Sequence, residues 1–263
     1  MSREYDDIDV AVGDDGRAVL SLDRPDSLNA LSDRMADEIL DALNRVEEDD
    51  DVRVLVVRGR DGNFCAGADV GSPPAETKPH QQTRRFRRLR RLFDRLEGFP
   101  RPTVAAIEGY CLGGGCELAC CCDTRVAAES ATIGVPEITL GVIPAGGGTQ
   151  RLSRLIGLSR ARDMILRGKH HDAATMREYG FVHELTDDEG FEDALEAVVE
   201  EYLVRPPVAM ELAKLTVNGG FEASLASGLE MEALATGVVF GTDDAREGLE
   251  AFRENRAPDF RGE

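Results

Sequence analysis

The residues best placed to do chemistry are two glutamates set beside unusual backbone. Gly113-Gly114-Gly115-Cys116-Glu117-Leu118-Ala119 runs three glycines into a predicted helix, and Pro136-Glu137-Ile138-Thr139-Leu140-Gly141 follows twenty residues later. A helix has no internal acceptors for its first N–H groups, and glycine leaves them unshielded. Together with the positive end of the helix dipole, such donors suit a carbonyl oxygen that is gaining negative charge. Two carboxylates around them could grip one water from two sides, which is acid–base chemistry beside an oxyanion hole. Taken alone, the pattern also fits an ordinary glycine-rich strand-to-helix turn with a capping glutamate. No GxGxxG follows a strand and no GxxxxGK[ST] occurs, so the glycines do not read as a nucleotide-phosphate cradle.

Alternating strands and helices must position these groups, and the hydrophobic periodicity supplies them. Residues 10–12 and 18–22 read as a hairpin. Residues 32–48 form an amphipathic helix with Met35, Ile39, Leu43 and Val46 on one face. The β-branched run 52–57 predicts a buried strand. Residues 81–96 predict a second helix with a stripe of Phe86, Leu89, Leu92 or Phe93, and Leu96. Short strands at 103–107, 124–128 and 132–133 surround a helix over 116–122. From residue 158 onward the pattern is helical, over 158–166, 191–203, 207–217, 225–240 and 243–254, punctuated by Pro206-Pro207 and Gly219-Gly220. This alternation predicts an α/β core, and the change of pattern divides the chain into a core over 1–205 and a helical region over 206–263.

Composition narrows the partners. With 263 residues and 42% hydrophobic content the chain can bury a sizeable core. It has no apolar run near the ~20 residues that span a bilayer, and Met1-Ser2-Arg3-Glu4-Tyr5 lacks the apolar region of a signal peptide, so a cytoplasmic protein is expected. The net charge of −19 disfavours nucleic acid and anionic lipid alike. The basic residues are 28 Arg and three Lys (Lys78, Lys169, Lys214). An acidic, lysine-poor surface suits high salt, where screening removes self-repulsion, so a halophilic source is expected. The six cysteines (Cys65, Cys111, Cys116, Cys120, Cys121, Cys122) read as buried reduced thiols. Three successive ones on a helix point ~100° apart and cannot share one tetrahedral metal. No metal is expected.

Further segments fix the family. Leu22-Asp23-Arg24-Pro25-Asp26-Ser27-Leu28-Asn29-Ala30-Leu31 lies near the start, and Asn63-Phe64-Cys65-Ala66-Gly67-Ala68-Asp69 follows the 52–57 run. Ile143-Pro144-Ala145-Gly146-Gly147-Gly148-Thr149-Gln150-Arg151-Leu152 follows Glu137, and Phe252-Arg253-Glu254-Asn255-Arg256-Ala257-Pro258-Asp259-Phe260 closes the chain. In this order, from about Val10 to Phe260, they resemble the enoyl-CoA hydratase/isomerase (crotonase) superfamily. The resemblance implies a spiral of ββα turns and a C-terminal helical region that mediates trimers, often paired into hexamers.

It also implies an acyl-CoA thioester substrate, with coenzyme A part of that substrate and no separate cofactor. Glu117 and Glu137 match the two catalytic glutamates, and the N–H groups of Ala66 and Gly114 match the oxyanion hole. Gly67, Ala68 and Asp69 match the segment lining the acyl and pantetheine region, and Arg24 resembles a position near the CoA phosphates. Ala145 replaces a usual glycine, narrowing the pocket by a methyl, and Asn255 replaces a usual lysine, leaving Arg256 as a phosphate candidate. Hydration of a trans-2-enoyl-CoA is the leading expectation. Δ3,Δ2-enoyl-CoA isomerisation and methylglutaconyl-CoA hydration follow, with a non-catalytic RNA-binding protein a distant third. The arginines of the second helix (Arg84, Arg85, Arg87, Arg88, Arg90, Arg91, Arg95) read first as a solvated face pairing with acidic surface.

Overall fold

The structure is a computed structural model that describes residues 5–69 and 78–263. Residues 1–4 and 70–77, the latter including most of the 71–82 loop that would shape an acyl-tail pocket, lie outside the described residues. In chain order the elements are β1 (Ile8–Val12), β2 (Arg17–Leu22), α1 (Asp33–Glu47), β3 (Val54–Gly59), α2 (Pro79–Glu97), β4 (Thr103–Ile107), β5 (Tyr110–Leu112), α3 (Gly114–Cys120), β6 (Thr124–Ala128) and β7 (Thr132–Gly134). A 3₁₀ turn, Pro136–Leu140, precedes α4 (Gly148–Ile156) and α5 (Leu158–Arg167). Then come β8 (His170–Asp172), α6 (Ala173–Glu178), β9 (Glu184–Thr186), α7 (Phe191–Leu203), α8 (Pro207–Glu222), α9 (Leu225–Val239) and α10 (Asp243–Glu254).

Six strands form one sheet in the order β1-β2-β3-β4-β6-β9, antiparallel only at β1–β2. Its central strands β3 and β4 are largely apolar on both faces, as covered strands must be. Leu55, Val57, Ala105 and Ile107 face the large core with α1 and α3, while Val54, Val56, Val104 and Val126 face Phe191, Leu195 and Val199 of α7. A second, three-stranded sheet (β5-β7-β8) stands beside it and carries both glutamate segments. The helix expected over 32–48 forms as α1 because the Ser32 hydroxyl accepts the Met35 N–H as an N-cap and Met35, Ile39, Leu43 and Val46 are buried. All six cysteines are buried, and burial pushes the Cys65 and Cys122 thiols up to about 12.

Two expectations are corrected. Gly219 and Gly220 do not end a helix; they lie inside α8, where Gly220 meets Gly228 of α9 so closely that a Cβ on Gly228 would sit 3.3 Å from the Gly220 Cα. Absence of side chains there lets the two helices approach. Phe86 does not join the stripe of α2 and remains exposed, whereas Leu92, Phe93 and Leu96 are buried. Among the described residues no helix is long and apolar enough to cross a membrane.

Candidate active site

Glu117 sits in the first turn of α3, almost fully buried at 4% exposure. One carboxylate oxygen, Oε1, accepts the backbone N–H groups of Gly146 (2.8 Å) and Gly148 (2.7 Å). Gly148 opens α4, so the carboxylate caps that helix from outside and lies at its positive end. Gly146 is packed so tightly that a Cβ there would fall 2.4 Å from the Phe93 ring and 2.8 Å from Glu117 Oε2. The far end of α3 is fixed by the fully buried Arg125, whose guanidinium donates to the carbonyls of Ala119 (3.1 Å), Cys122 (2.7 Å) and Phe181 (2.5 Å).

Glu137 comes from the Pro136–Leu140 turn, which follows β7 directly. Its Oε1 approaches Gly113, where a Cβ would sit 3.0 Å away; Gly113 has φ 50°, ψ −119°, backbone suited to glycine. Its Oε2 is buried with no hydrogen-bond partner among the described residues. A buried orphan oxygen costs ~1–3 kcal/mol, so one facing a site is a place for water or substrate to bind.

Burial, opposed by the N–H groups of Gly146, Gly147 and Gly148 and aided by the nearby Glu137 charge, pushes the Glu117 carboxyl up to about 7. Burial also raises Glu137. The direction for Glu117 has a thermodynamic consequence. Between the ordinary carboxylate value of 4.5 and about 7, the folded protein holds a proton that the unfolded chain has lost, so this group's contribution to stability declines as pH rises through that window. Above it the loss levels off at roughly 3 kcal/mol. Glu117→Gln should therefore gain on the parent by up to about that amount between pH 5 and 7.5 in chemical denaturation. A pH-independent difference between the two proteins would contradict a raised Glu117.

The glycine loop after β3 supplies the donors, but not the expected one. The Ala66 N–H donates to the Leu28 carbonyl at 3.0 Å and is consumed by the fold. Leu31 bridges to Ala68 in parallel fashion, taking Gly67 O and Asp69 N and leaving the Ala68 N–H between them without an acceptor among the described residues. The Gly114 N–H likewise donates to no described group. The two residues lie close together: a Cβ on Gly114 would lie 3.4 Å from the Ala68 nitrogen. Sequence reasoning chose the wrong residue of this loop because Ala66 and Ala68 are both small, and only the hydrogen-bond ledger separates them.

Arg24 is held by partners of its own. It donates to Asp69 (2.8 Å) and to the Ala30 carbonyl (2.7 Å), with Asp7 at 3.8 Å, and so braces the loop that carries Ala68. Arg256 is gripped by Glu247 and Glu254. On α2, Arg85 and Arg88 pair with Asp33 and Asp37 of α1, Arg95 with Glu47, and Arg90 with Asp94, as an arginine face against acidic surface should. The carboxylate clamp by Gly146 and Gly148 was missed, although the run Gly146-Gly147-Gly148 before α4 was its signal.

The chain matches known proteins over most of its length. A family model for enoyl-CoA hydratase/isomerase covers residues 14–263. The mouse (Mus musculus) enoyl-CoA hydratase domain-containing protein 2, mitochondrial, is 40% identical over 254 residues, 94% of this chain and 85% of that one. Human (Homo sapiens) methylglutaconyl-CoA hydratase, mitochondrial, is 37% identical over 254 residues, 94% and 74% of the two chains. A crystal structure of enoyl-CoA hydratase from Bacillus anthracis superposes with a TM-score of 0.92 at 37% identity, covering 98% of this chain and all of that one. The chain therefore belongs to the enoyl-CoA hydratase/isomerase family and has the crotonase fold.

Proposed function

We propose that the protein adds water across the 2,3 double bond of a trans-2-enoyl-CoA to give the 3-hydroxyacyl-CoA. The observation that carries this reading is the pairing of a clamped carboxylate, Glu117, with a second whose buried Oε2 lacks a partner, Glu137. The thioester oxygen would lie between the N–H groups of Ala68 and Gly114, which then stabilise the enolate. Glu117 takes a proton from the water attacking C3, and Glu137 gives one to C2. Glu117 must be ionised to act as base, which it is above about pH 7, and Glu137 must be protonated, the form that its burial favours. Each turnover leaves Glu117 protonated and Glu137 ionised, so the next water to enter must relay that proton from Glu117 to Glu137 before the cycle repeats.

Having both glutamates supports hydration over Δ3,Δ2-isomerisation, which needs chiefly one carboxylate. The ion pairs along α2 argue against an RNA-binding role for its arginines. A panel of crotonyl-, longer 2-enoyl-, 3-enoyl- and methylglutaconyl-CoA tests the reading; turnover of 3-enoyl-CoA alone would replace it with the isomerase.

Assembly is part of the proposal. Residues 1–205 form the catalytic core and 206–263 its assembly region, in a homotrimer or a dimer of trimers. The support is apolar surface on α8 and α9, where Val217, Phe221 and Leu225 are 70%, 69% and 78% exposed. With a charge of −19 per chain, subunits repel in dilute buffer, where the Debye length reaches ~30 Å at 0.01 M, and screening in molar salt restores them. Light scattering during a salt titration should show the oligomer intact in molar salt and dissociated at low salt. An unchanged oligomer in dilute buffer would end the halophile reading.

A further inference from the structure

The clamp on Glu117 depends on a side chain outside the reacting pair. Gly146 presents its N–H to Glu117 Oε1 (2.8 Å), and its carbonyl accepts Arg151 Nη1 at 2.9 Å. The same guanidinium donates through Nη2 to Asp94 (2.8 Å) and Glu97 (2.7 Å), both in the last turns of α2. Arg151 is itself only 13% exposed. One planar group thus ties the peptide that holds Glu117 to a helix remote from it in sequence. Its Nε is buried with no partner among the described residues, so the group is held in place by this one arrangement.

We infer that Arg151 is a positioning residue for the reaction, fixing the Gly146–Gly148 amides on Glu117 by anchoring their loop to Asp94 and Glu97 of α2. The inference rests on the hydratase reading for its kinetic consequence, but not for its structural one. Arg151 does not touch the carboxylate; it acts through the loop. Gly146 has Phe93 on one side and Glu117 on the other, so a loop freed from Arg151 slides along the Phe93 ring and its amides leave Oε1. Charged or titratable groups around this point come from every packed element. They are Glu137 from the 3₁₀ turn, Cys116, Cys120 and Cys121 from α3 and its end, Asp94 and Glu97 from α2, and Arg151 from α4.

The test uses the full chain with Glu labelled at the side-chain carboxyl carbon. The Glu117 resonance is assigned as the one missing in Glu117→Gln, and its titration is followed by NMR in the parent, Arg151→Met, Arg151→Lys and the charge control Arg88→Met. Losing two donors that favour the ionised form should move the Glu117 midpoint upward from about 7 in Arg151→Met. Arg151→Lys, which cannot present a fork to three acceptors, should move it the same way. Arg88→Met, which removes an equal charge from α2 without touching the Gly146 loop, should leave it unmoved. In crotonyl-CoA hydration, misplacing Glu117 should lower kcat of Arg151→Met by roughly 10–100-fold while KM stays within about threefold.

A folded Arg151→Met with an unmoved or lowered midpoint overturns the inference, and so does one with parental kcat. Should that variant fail to fold, Asp94→Asn combined with Glu97→Gln removes the anchor from exposed positions and carries the same expected shift and the same overturning result. Failure of the functional reading looks different: the parent itself would not hydrate crotonyl-CoA, while the NMR comparison would still decide what holds Glu117.

Discussion

Glu117→Gln should lower crotonyl-CoA hydration by about 10²–10⁴-fold yet retain part of any 3-enoyl to 2-enoyl isomerisation, whereas Glu137→Gln should lose both to the same degree. Moving a proton between carbons needs one well-placed carboxylate; activating water needs a second. Glutamine serves better than alanine for the first substitution. Its amide oxygen can still accept the N–H groups of Gly146 and Gly148, whereas alanine would leave those donors buried and unpaired at ~1–3 kcal/mol each. Steady-state rates on crotonyl- and 3-enoyl-CoA, after circular dichroism shows both variants folded, decide the matter. If Glu117→Gln hydrates at the parental rate, the two-carboxylate mechanism is wrong for this protein.

Gly114→Pro should cost about 10²–10³-fold in kcat, the usual penalty of 2.7–4 kcal/mol for deleting one oxyanion donor. The structure makes this substitution readable. Gly114 is the first residue of α3, its N–H has no acceptor in the fold, and proline is well suited to that helical position. The new Cβ would lie 3.1 Å from Leu31 Cδ1, the mobile end of a side chain, and 3.4 Å from the Ala68 nitrogen. Gly114→Ala carries the same Cβ but keeps the N–H, so the ratio of the two rates isolates the donor from the crowding. Equal rates for the alanine and proline variants would remove Gly114 from the mechanism. Its neighbour offers a contrast. A Cβ on Gly115 would fall 2.2 Å from the Cys65 carbonyl, so that glycine serves packing.

Legibility in the sequence followed the range of the physics. Strands 103–107 and 124–128 and helices 191–203 and 243–254 match the structure residue for residue, because their boundaries are local: β-branched or alanine-rich runs on one hand, caps such as Thr242 on the other. The short pieces β5, β8 and β9 and helix α6 left no periodicity to read, since three to six residues hold at most two turns of any pattern. In the site, both glutamates were visible as carboxylates beside glycine and proline. Which N–H groups are idle was not visible. That depends on whether Leu28 or Leu31 reaches a particular peptide, a contact across more than thirty residues. The ion pairs of Arg24 were hidden for the same reason: its partners Asp69 and Asp7 come from other segments.

The small sheet has a consequence for how such a site can change over generations. Glu117 hangs from the helix that leaves β5, and Glu137 from the turn that leaves β7; these two strands are parallel neighbours in the register Cys111–Ile133. The chain between them travels away to the large sheet as β6 and comes back. The spacing of the carboxylates is thus a property of one strand pairing, not of the length of the excursion. Insertions or deletions at Glu129–Ser130, an exposed corner of that excursion, leave the distance between the glutamates alone. A slip of one residue between β5 and β7 displaces one carboxylate by ~3.3 Å and turns it to the opposite face. Lineages can therefore rework the corner freely, while drift in the register is lethal to the chemistry.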